Sequence, residues 1–595
     1  MFYRSGAHGP PARLRRALPA IVLAGLAFAI GAILGSDHGP APAEQLATRF
    51  VSAWSTGDYA HMYLDTDASL THSISAPAFA REYEQALRTA TATHVSVAGK
   101  PRGSGALVRV PVRVQTRLFG SLALDFALPI TSRGGEGPRI AWARSLVFPG
   151  LAPGEALARQ TALPARASLL ARDGSVLAEG SPPVPGRRSS PLGEVATAVL
   201  GELGAAPAAR AQQLEAEGVP PGAMVGVSGL EQAFDARLRG TPGGQLLTTS
   251  SPSSNAQRVL ASAAPRPAAA LRTSISPAVQ RAAVLALGGQ YGGIVALAPA
   301  TGEILAVAGI GLDGLQPPGS TFKMVTVSGV LEAGIATPRS AFPYATQATL
   351  DGVKLSNAGG EECGGTLEVA FAVSCNSVFA PLGVKLGAAR LVSTAERFGF
   401  NREPAIAGAA ESTIPPAGQI QGELALGSTA IGQGQVQASA LQMANVAATI
   451  ADGGLRPQPT FTFSNPGARP ARVRALSADV ARTVRRLMIA VVRGGTGTAA
   501  AIPGTVVAGK TGTAELKTEC AGSSGEAAGK SSASEGCAGG AASEASNTDA
   551  WFAAFAPALH PRIDVGVLLV KDGAGGATAA PVAREVLEAG LRPGG

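Results

Sequence analysis

Histidine and lysine are scarce in this chain of 595 residues, which holds six of the first and eight of the second against 41 arginines. The histidines are His8, His38, His61, His72, His94 and His560, so none stands between residues 320 and 510. A Ser-His-Asp triad through His560 would need an acidic partner and a nucleophile elbow, and no G-x-S-x-G occurs. Only four cysteines are present, without a C-x-x-C pair or a His/Cys cluster at zinc spacing. No metal and no other cofactor is expected. Charge is sparse too: 15% of residues are charged, and the net +8 is not gathered into a Lys/Arg block interleaved with aromatics. Nucleic acid is therefore not an expected partner.

Arg4, Arg13, Arg15 and Arg16 precede an uncharged stretch from Ala17 to Gly35. Crossing a bilayer takes about 20 apolar residues, so 17–35 reads as a single transmembrane anchor. The arginines keep residues 1–16 as a cytoplasmic tail, which puts the remainder on the outer side of the plasma membrane. A cleaved signal peptide is the rival reading, although its apolar region is usually shorter. All four cysteines lie beyond position 360, in keeping with an oxidising compartment. Three pairings are open. Cys363 with Cys375 and Cys520 with Cys537 is the simplest, since each closes a short loop; free thiols, Cys375 among them, are the alternative.

A chain of this length is expected to fold as three or more units, here a multidomain α+β protein. Leu46, Phe50, Val51 and Trp54 recur at helical spacing. From Ala106 to Val114 and again from Leu122 to Ile130 the pattern alternates, around a Phe119-Gly120-Ser121 turn, as in an antiparallel hairpin with one wet face. A further strand is expected over Ile140–Phe148. Residues 43–150 thus read as a small α+β module. Residues 155–270 are rich in Pro, Ala and Gly and read as an extended platform, with a helix from Ser228 to Leu238. Beyond 271, Ser276-Pro277 starts a helix to about Leu287, and Gly293–Leu297 with Glu303–Val307 forms a strand pair. Glu519–Asn547 is low in complexity and reads as a surface loop.

Ser320 and Lys323 stand in Pro317-Pro318-Gly319-Ser320-Thr321-Phe322-Lys323. A serine hydroxyl needs a base within reach, and residues i and i+3 of a helix share a face. Lys323 can serve once burial and a second cation lower its pKa below the ordinary value of about 10.4. Lys510 is the candidate cation. Ser374-Cys375-Asn376 follows an apolar helix, Leu367–Val373. Its Ser374 hydroxyl can relay a proton to a leaving amine, and the Asn376 carboxamide can hold a substrate amide. Lys510-Thr511-Gly512 follows Val506–Gly509, an apolar run that reads as a strand. Gly512 lets a ligand approach the backbone; an extended substrate can add along that edge, its carboxylate meeting Lys510 and Thr511. The amides of Ser320 and Thr513 are the expected oxyanion hole. Read singly, S-x-x-K and S-x-N are also helix caps.

Taken together, S-x-x-K, S-x-N and K-T-G form the set of penicillin-binding proteins and serine β-lactamases. The chain resembles a class B high-molecular-weight penicillin-binding protein, with Cys375 where that set has Asp. Ser228-Gly229-Leu230-Glu231 to Leu238-Arg239-Gly240 is similar to the family's pedestal signature. Gly432-Gln433-Gly434-Gln435 with Ser439 to Ala444, Gly495-Thr496-Gly497-Thr498-Ala499 and Ala550-Trp551-Phe552-Ala553-Ala554-Phe555-Ala556-Pro557 are similar to its catalytic-domain landmarks. Residues 43–150 resemble the NTF2-like domain of the MecA type. The resemblance implies a pedestal or dimerisation-like domain at 155–270 and a penicillin-binding transpeptidase domain at 271–592, an antiparallel sheet flanked by helices. It implies that Ser320 attacks the D-Ala–D-Ala amide of a peptidoglycan stem peptide, that an amine of a neighbouring stem resolves the acyl-enzyme, and that β-lactams acylate the same serine. A membrane glycosyltransferase partner is compatible with that placement. A D,D-carboxypeptidase or β-lactamase, with water as acceptor, is the second reading. The third is a non-catalytic β-lactam sensor or scaffold, disfavoured because the tail 1–16 is too short for an output domain.

Overall fold

The computed structural model describes residues 41–103, 105–132, 137–180, 185–250, 257–463, 472–515 and 547–593. The expected tail 1–16 and anchor 17–35, like Cys520 and Cys537, lie outside these residues. Among the described residues no single helix is long and apolar enough to cross a membrane. The chain divides into two compact units, one built from residues up to 162 with 209–221 and 242–266, the other from 163–208, 222–241 and 267 onward. The stretch 155–270 contributes segments to both.

In the first unit, helix α1 (Pro42–Thr56) carries proline in its first turn and buries Leu46, Phe50 and Trp54 along one face. A second helix, α2 (Ala76–Thr89), adds Phe79 and Tyr83. Strands β1 (Ala92–Val97), β2 (Leu107–Thr116), β3 (Gly120–Thr131) and β4 (Arg139–Ile140) make an antiparallel sheet in that order. The alternation holds: Val108, Val110, Val112 and Val114 are buried while Arg109 and Arg113 face water. Val110 pairs with Phe126, whose ring meets Trp54 edge-on at 5.0 Å. The strand expected over Ile140–Phe148 stops after Ile140 and becomes a 3₁₀ turn, Arg144–Val147. Within that departure Trp142 Nε1 donates to the Tyr83 hydroxyl and Phe148 packs edge-on against Trp54. A second sheet, β5 (Glu155–Ala162), β6 (Gly243–Ser250) and β7 (Gln257–Ala263), has β6 in the middle.

The second unit opens with irregular chain held by charge. Arg166 donates to Glu231 at 2.6 Å and to Asp235 at 3.0 Å; Arg188 reaches Glu231 and Arg239 reaches Asp235, both at 2.6 Å. All five side chains are almost fully buried. This network supplies order where apolar periodicity was missing. The helix expected from Ser228 to Leu238 breaks at Phe234 into Gly229–Ala233 and Asp235–Leu238.

Ser276 caps helix α3 (Pro277–Leu287) by accepting from the Val279 amide. Strands β8 (Gly292–Ala298) and β9 (Glu303–Gly309) follow, then helix α4 (Lys323–Glu332). A short strand, β10 (Cys363–Thr366), leads into α5 (Leu367–Ala372) and α6 (Asn376–Leu386). Next come α7 (Ala440–Ala451), α8 (Ala478–Gly494), β11 (Ala508–Glu515), β12 (Thr548–Ala556), β13 (Ile563–Leu569) and α9 (Ala579–Leu591). The five strands form one antiparallel sheet in the order β9-β8-β13-β12-β11. Ile294, Ala296 and Val567 pack with α3 and α9 on one face; Val295, Leu297 and Leu568 pack with α4 and α7 on the other. Helices on both faces leave β11 as the edge strand, with the K-T-G residues on it.

Candidate active site

The nucleophile segment is a 3₁₀ turn, Gly319–Phe322, that passes into α4 at Lys323. In a 3₁₀ turn residues i and i+3 eclipse, so Ser320 and Lys323 are aligned more closely than a regular α-helix would align them. Gly319 adopts φ 52°, and a Cβ on it would sit 2.8 Å from the Thr513 carbonyl oxygen. Its amide donates to Gly432 at 3.0 Å. The turn is therefore clamped between β11 and the Gly432-Gln433-Gly434-Gln435 loop. A Cβ on Gly512 would meet the Pro318 carbonyl oxygen at 2.8 Å, so glycine there also lets the strand lie against the nucleophile turn.

Ser320 is partly exposed, whereas Lys323 and Lys510 are fully buried. Lys323 Nζ donates to the Ser374 carbonyl at 2.7 Å and to Asn376 Oδ1 at 2.6 Å, and lies 3.3 Å from Ser374 Oγ. Lys510 Nζ reaches the same Ser374 Oγ at 2.8 Å and the Thr511 carbonyl at 3.0 Å. One hydroxyl thus joins two amines. The Ser320 hydroxyl itself makes no hydrogen bond among the described residues, a common state of a nucleophile without substrate. Burial drives Lys510 down to about 7. Burial, and then the charge of Lys510, hold Lys323 well below the ordinary lysine value. The walls are aromatic: Lys323 Nζ is 5.6 Å from the Phe379 ring centre and Lys510 Nζ 5.5 Å from that of Phe371.

Ser374 sits between α5 and α6 with φ 62°, a conformation that costs a non-glycine residue about 1 kcal/mol or more. Its surroundings hold it there. Cys375 is bonded to Cys363 of β10, and the Cys375 amide donates to the Ala370 carbonyl. Asn376 commits both ends of its carboxamide, accepting from Lys323 and donating through Nδ2 to the Ser356 carbonyl at 2.9 Å. Its second N–H is what it has left for a substrate. Thr511, on β11, shares a 2.6 Å hydrogen bond with the hydroxyl of Thr496. The Thr496 amide in turn donates to Ala372, at the end of α5. Thr496 therefore ties the edge strand to the segment carrying Ser374. The sequence marks it only as part of the Gly495-Thr496-Gly497-Thr498 landmark, which does not say that its partner is Thr511; nothing marks Phe371, Phe379 or Ser356.

The structure brings Lys323, Ser374, Asn376, Lys510 and Thr511 into direct contact and packs the Ser320 turn against Gly512 and Thr513. Cys363 and Cys375 pair next to it.

Three sequence families match the chain. The penicillin binding protein transpeptidase domain matches residues 292–588, the penicillin-binding protein dimerisation domain 183–272, and the NTF2-like N-terminal transpeptidase domain 42–155. The peptidoglycan D,D-transpeptidase PbpA of Mycolicibacterium smegmatis is 34% identical over 391 residues, 54% of this chain and 72% of that protein. The peptidoglycan D,D-transpeptidase MrdA of Acinetobacter baumannii is 28% identical, over 61% and 60% of the two chains. Among solved structures, penicillin-binding protein A of Mycobacterium tuberculosis as its penicillin G acyl-enzyme complex is 28% identical. It aligns with a TM-score of 0.54 over 72% of this chain and 100% of that one. The D,D-transpeptidase domain of a peptidoglycan glycosyltransferase from Eggerthella lenta gives 0.55 at 28% identity, over 72% and 99%.

Proposed function

Starting from the fact that this chain belongs to the penicillin-binding protein transpeptidase family, we propose how it works as a peptidoglycan D,D-transpeptidase with a serine acyl-enzyme. Neutral Lys323 takes the proton of Ser320 as Ser320 Oγ attacks the carbonyl of the penultimate D-Ala in a stem peptide. The amides of Ser320 and Thr513 stabilise the oxyanion; each such donor is worth a factor of about 10²–10³ in rate. Ser374 passes the proton from Lys323 to the departing D-Ala amine, and its contacts to both lysines support that relay. Lys510 and Thr511 hold the substrate carboxylate, while Gly512 and the rest of the β11 edge pair with the peptide backbone. Asn376 orients Lys323 and offers its remaining N–H to the substrate. An amine from a second stem then reverses the steps and leaves a cross-link. A β-lactam follows the first half and stays on Ser320.

The observation that carries this reading is the convergence of two buried, pKa-lowered amines on Ser374 Oγ beside the Ser320 turn. Arg4, Arg13, Arg15 and Arg16 ahead of the apolar stretch 17–35 support a single-pass anchor, with residues 1–16 cytoplasmic and the catalytic domain outside the plasma membrane. That site is one a membrane glycosyltransferase partner can reach. We take 43–150, 155–270 and 271–592 as the NTF2-like, pedestal and transpeptidase domains. Mass spectrometry of the full chain after penicillin G treatment tests the chemistry. One stable adduct on the peptide containing Ser320, absent from Ser320→Ala, is expected; an adduct elsewhere, or its retention in that variant, overturns the assignment.

A further inference from the structure

In the unit that holds the active site, a separate cavity of about 310 Å³ is lined by the first turns of α7, by residues 399–412 and by the strand pair Leu455–Pro457 and Arg472–Arg474. None of Ser320, Lys323, Ser374, Asn376 and Lys510 to Thr513 lines it. Three guanidinium groups do, and two of them, Arg402 and Arg456, form no ion pair or hydrogen bond among the described residues. Arg472 is already satisfied by Asp452 at 2.8 Å. Glu403 is the one carboxylate in the lining, against that arginine pair. Burial, and then the charge of Arg402, hold Arg456 below the ordinary arginine value.

Two further polar atoms are unpaired. Arg456 Nε is buried without a hydrogen-bond partner, and so is Asn445 Oδ1, on a side chain only 4% exposed. A buried donor or acceptor left unmade costs about 1–3 kcal/mol, and like charges held together add to that. A cavity with two unpaired guanidinium groups against one carboxylate, an orphan donor and an orphan acceptor is completed by a solute of negative charge that also brings a hydrogen to donate.

We propose that this cavity is a binding site for a small solute bearing a carboxylate or phosphate group and, beside it, an N–H or O–H donor. The anionic group bridges Arg402 and Arg456, and the donor meets Asn445. The site is connected to the nucleophile through the chain. Ser439, in the lining, caps α7, and its amide is held by Ser412 Oγ at 3.1 Å. Seven residues earlier Gly432 braces Gly319. The inference does not rest on the catalytic reading, because the cavity shares no residue with it.

The test is titration of the purified full chain with N-acetylglycine and with glycerol 1-phosphate, followed by saturation-transfer NMR, with N-acetylglycinamide as the uncharged control. Saturable binding of at least one anion and none of the control is expected. Arg402→Gln and Arg456→Gln should each weaken it about tenfold or more. The preferred anion identifies the source, a carboxylate metabolite or a phosphate. Arg402 is exposed at the rim, so its replacement leaves the fold intact even where Arg456→Gln does not; circular dichroism checks both. Absence of saturable binding means a water-filled cavity, and binding unchanged in Arg402→Gln means a site elsewhere; either result overturns the proposal.

Discussion

Two fully buried lysines around one hydroxyl destabilise the fold and ready the chemistry. Arginine cannot replace them, because its guanidinium does not lose its proton in a protein. Lys323→Arg is therefore expected to lower the rate of penicillin acylation by about 10²–10⁴, the usual worth of a positioned base, measured by stopped-flow quenching with a fluorescent penicillin. A rate within tenfold of the unmodified protein would remove Lys323 from the role of base. The pH profile follows from the same pair. Acylation rises with pH as Lys323 loses its proton, then falls near pH 7 as Lys510, lowered to about that value, loses the charge that attracts a carboxylate. The two limbs belong to the coupled pair. A β-lactam methyl ester, without the carboxylate, should show the rising limb alone.

Strand β13 carries a conflict of its own. Asp564 is fully exposed to the core and not at all to water, and neither oxygen has a hydrogen-bond partner. Burial raises its pKa well above the ordinary 3.8. The folded chain then keeps a proton that the unfolded chain releases above that value, so this residue takes stability away as pH rises through and beyond it. Asp564→Asn carries no such penalty. Its thermal midpoint at pH 7 should exceed that of the parent by roughly 2–5 °C, with the difference shrinking toward pH 3.5. A variant less stable at pH 7 would mean that the carboxyl is bonded in solution. Elsewhere the elements behave as their patterns dictate, from the capped α3 to the β8–β9 pair. The exceptions are 140–148, where the strand gives way to a 3₁₀ turn, and 228–238, where the helix breaks at Phe234.

Across the entire chain, the stretch that precedes the transpeptidase sheet joins a buried ion network to a short apolar core that includes Leu169, Leu177, Val199, Leu200, Leu230 and Leu238. Arg166 is 1% exposed and touches Glu231 and Asp235. Removing it leaves Glu231 to Arg188 and Asp235 to Arg239, so the loss stays at or below the low end of the about 3–5 kcal/mol that a wholly unpaired buried charge costs. Arg166→Ala should lower the unfolding midpoint in urea accordingly, while penicillin acylation at 15 °C stays within twofold. A midpoint unchanged within error would show that water replaces the guanidinium.

Most of the chemistry was readable from order and residue type. Ser320, Lys323, Ser374, Asn376 and Lys510 stand out because their motifs have fixed internal spacing, and helix and strand periods say which residues of each motif share a side. Hairpins and capped helices were readable for the same local reason. Long-range pairing had no such signal. That Thr496 holds Thr511, that Phe371 and Phe379 line the amines, and that Arg166 meets Glu231 and Asp235 all depend on residues 15 or more positions apart. Their proximity comes from the packing of the sheet, α5, α6 and α8. Local propensity cannot encode a contact whose free energy exists only after the chain has closed the loop between its two ends.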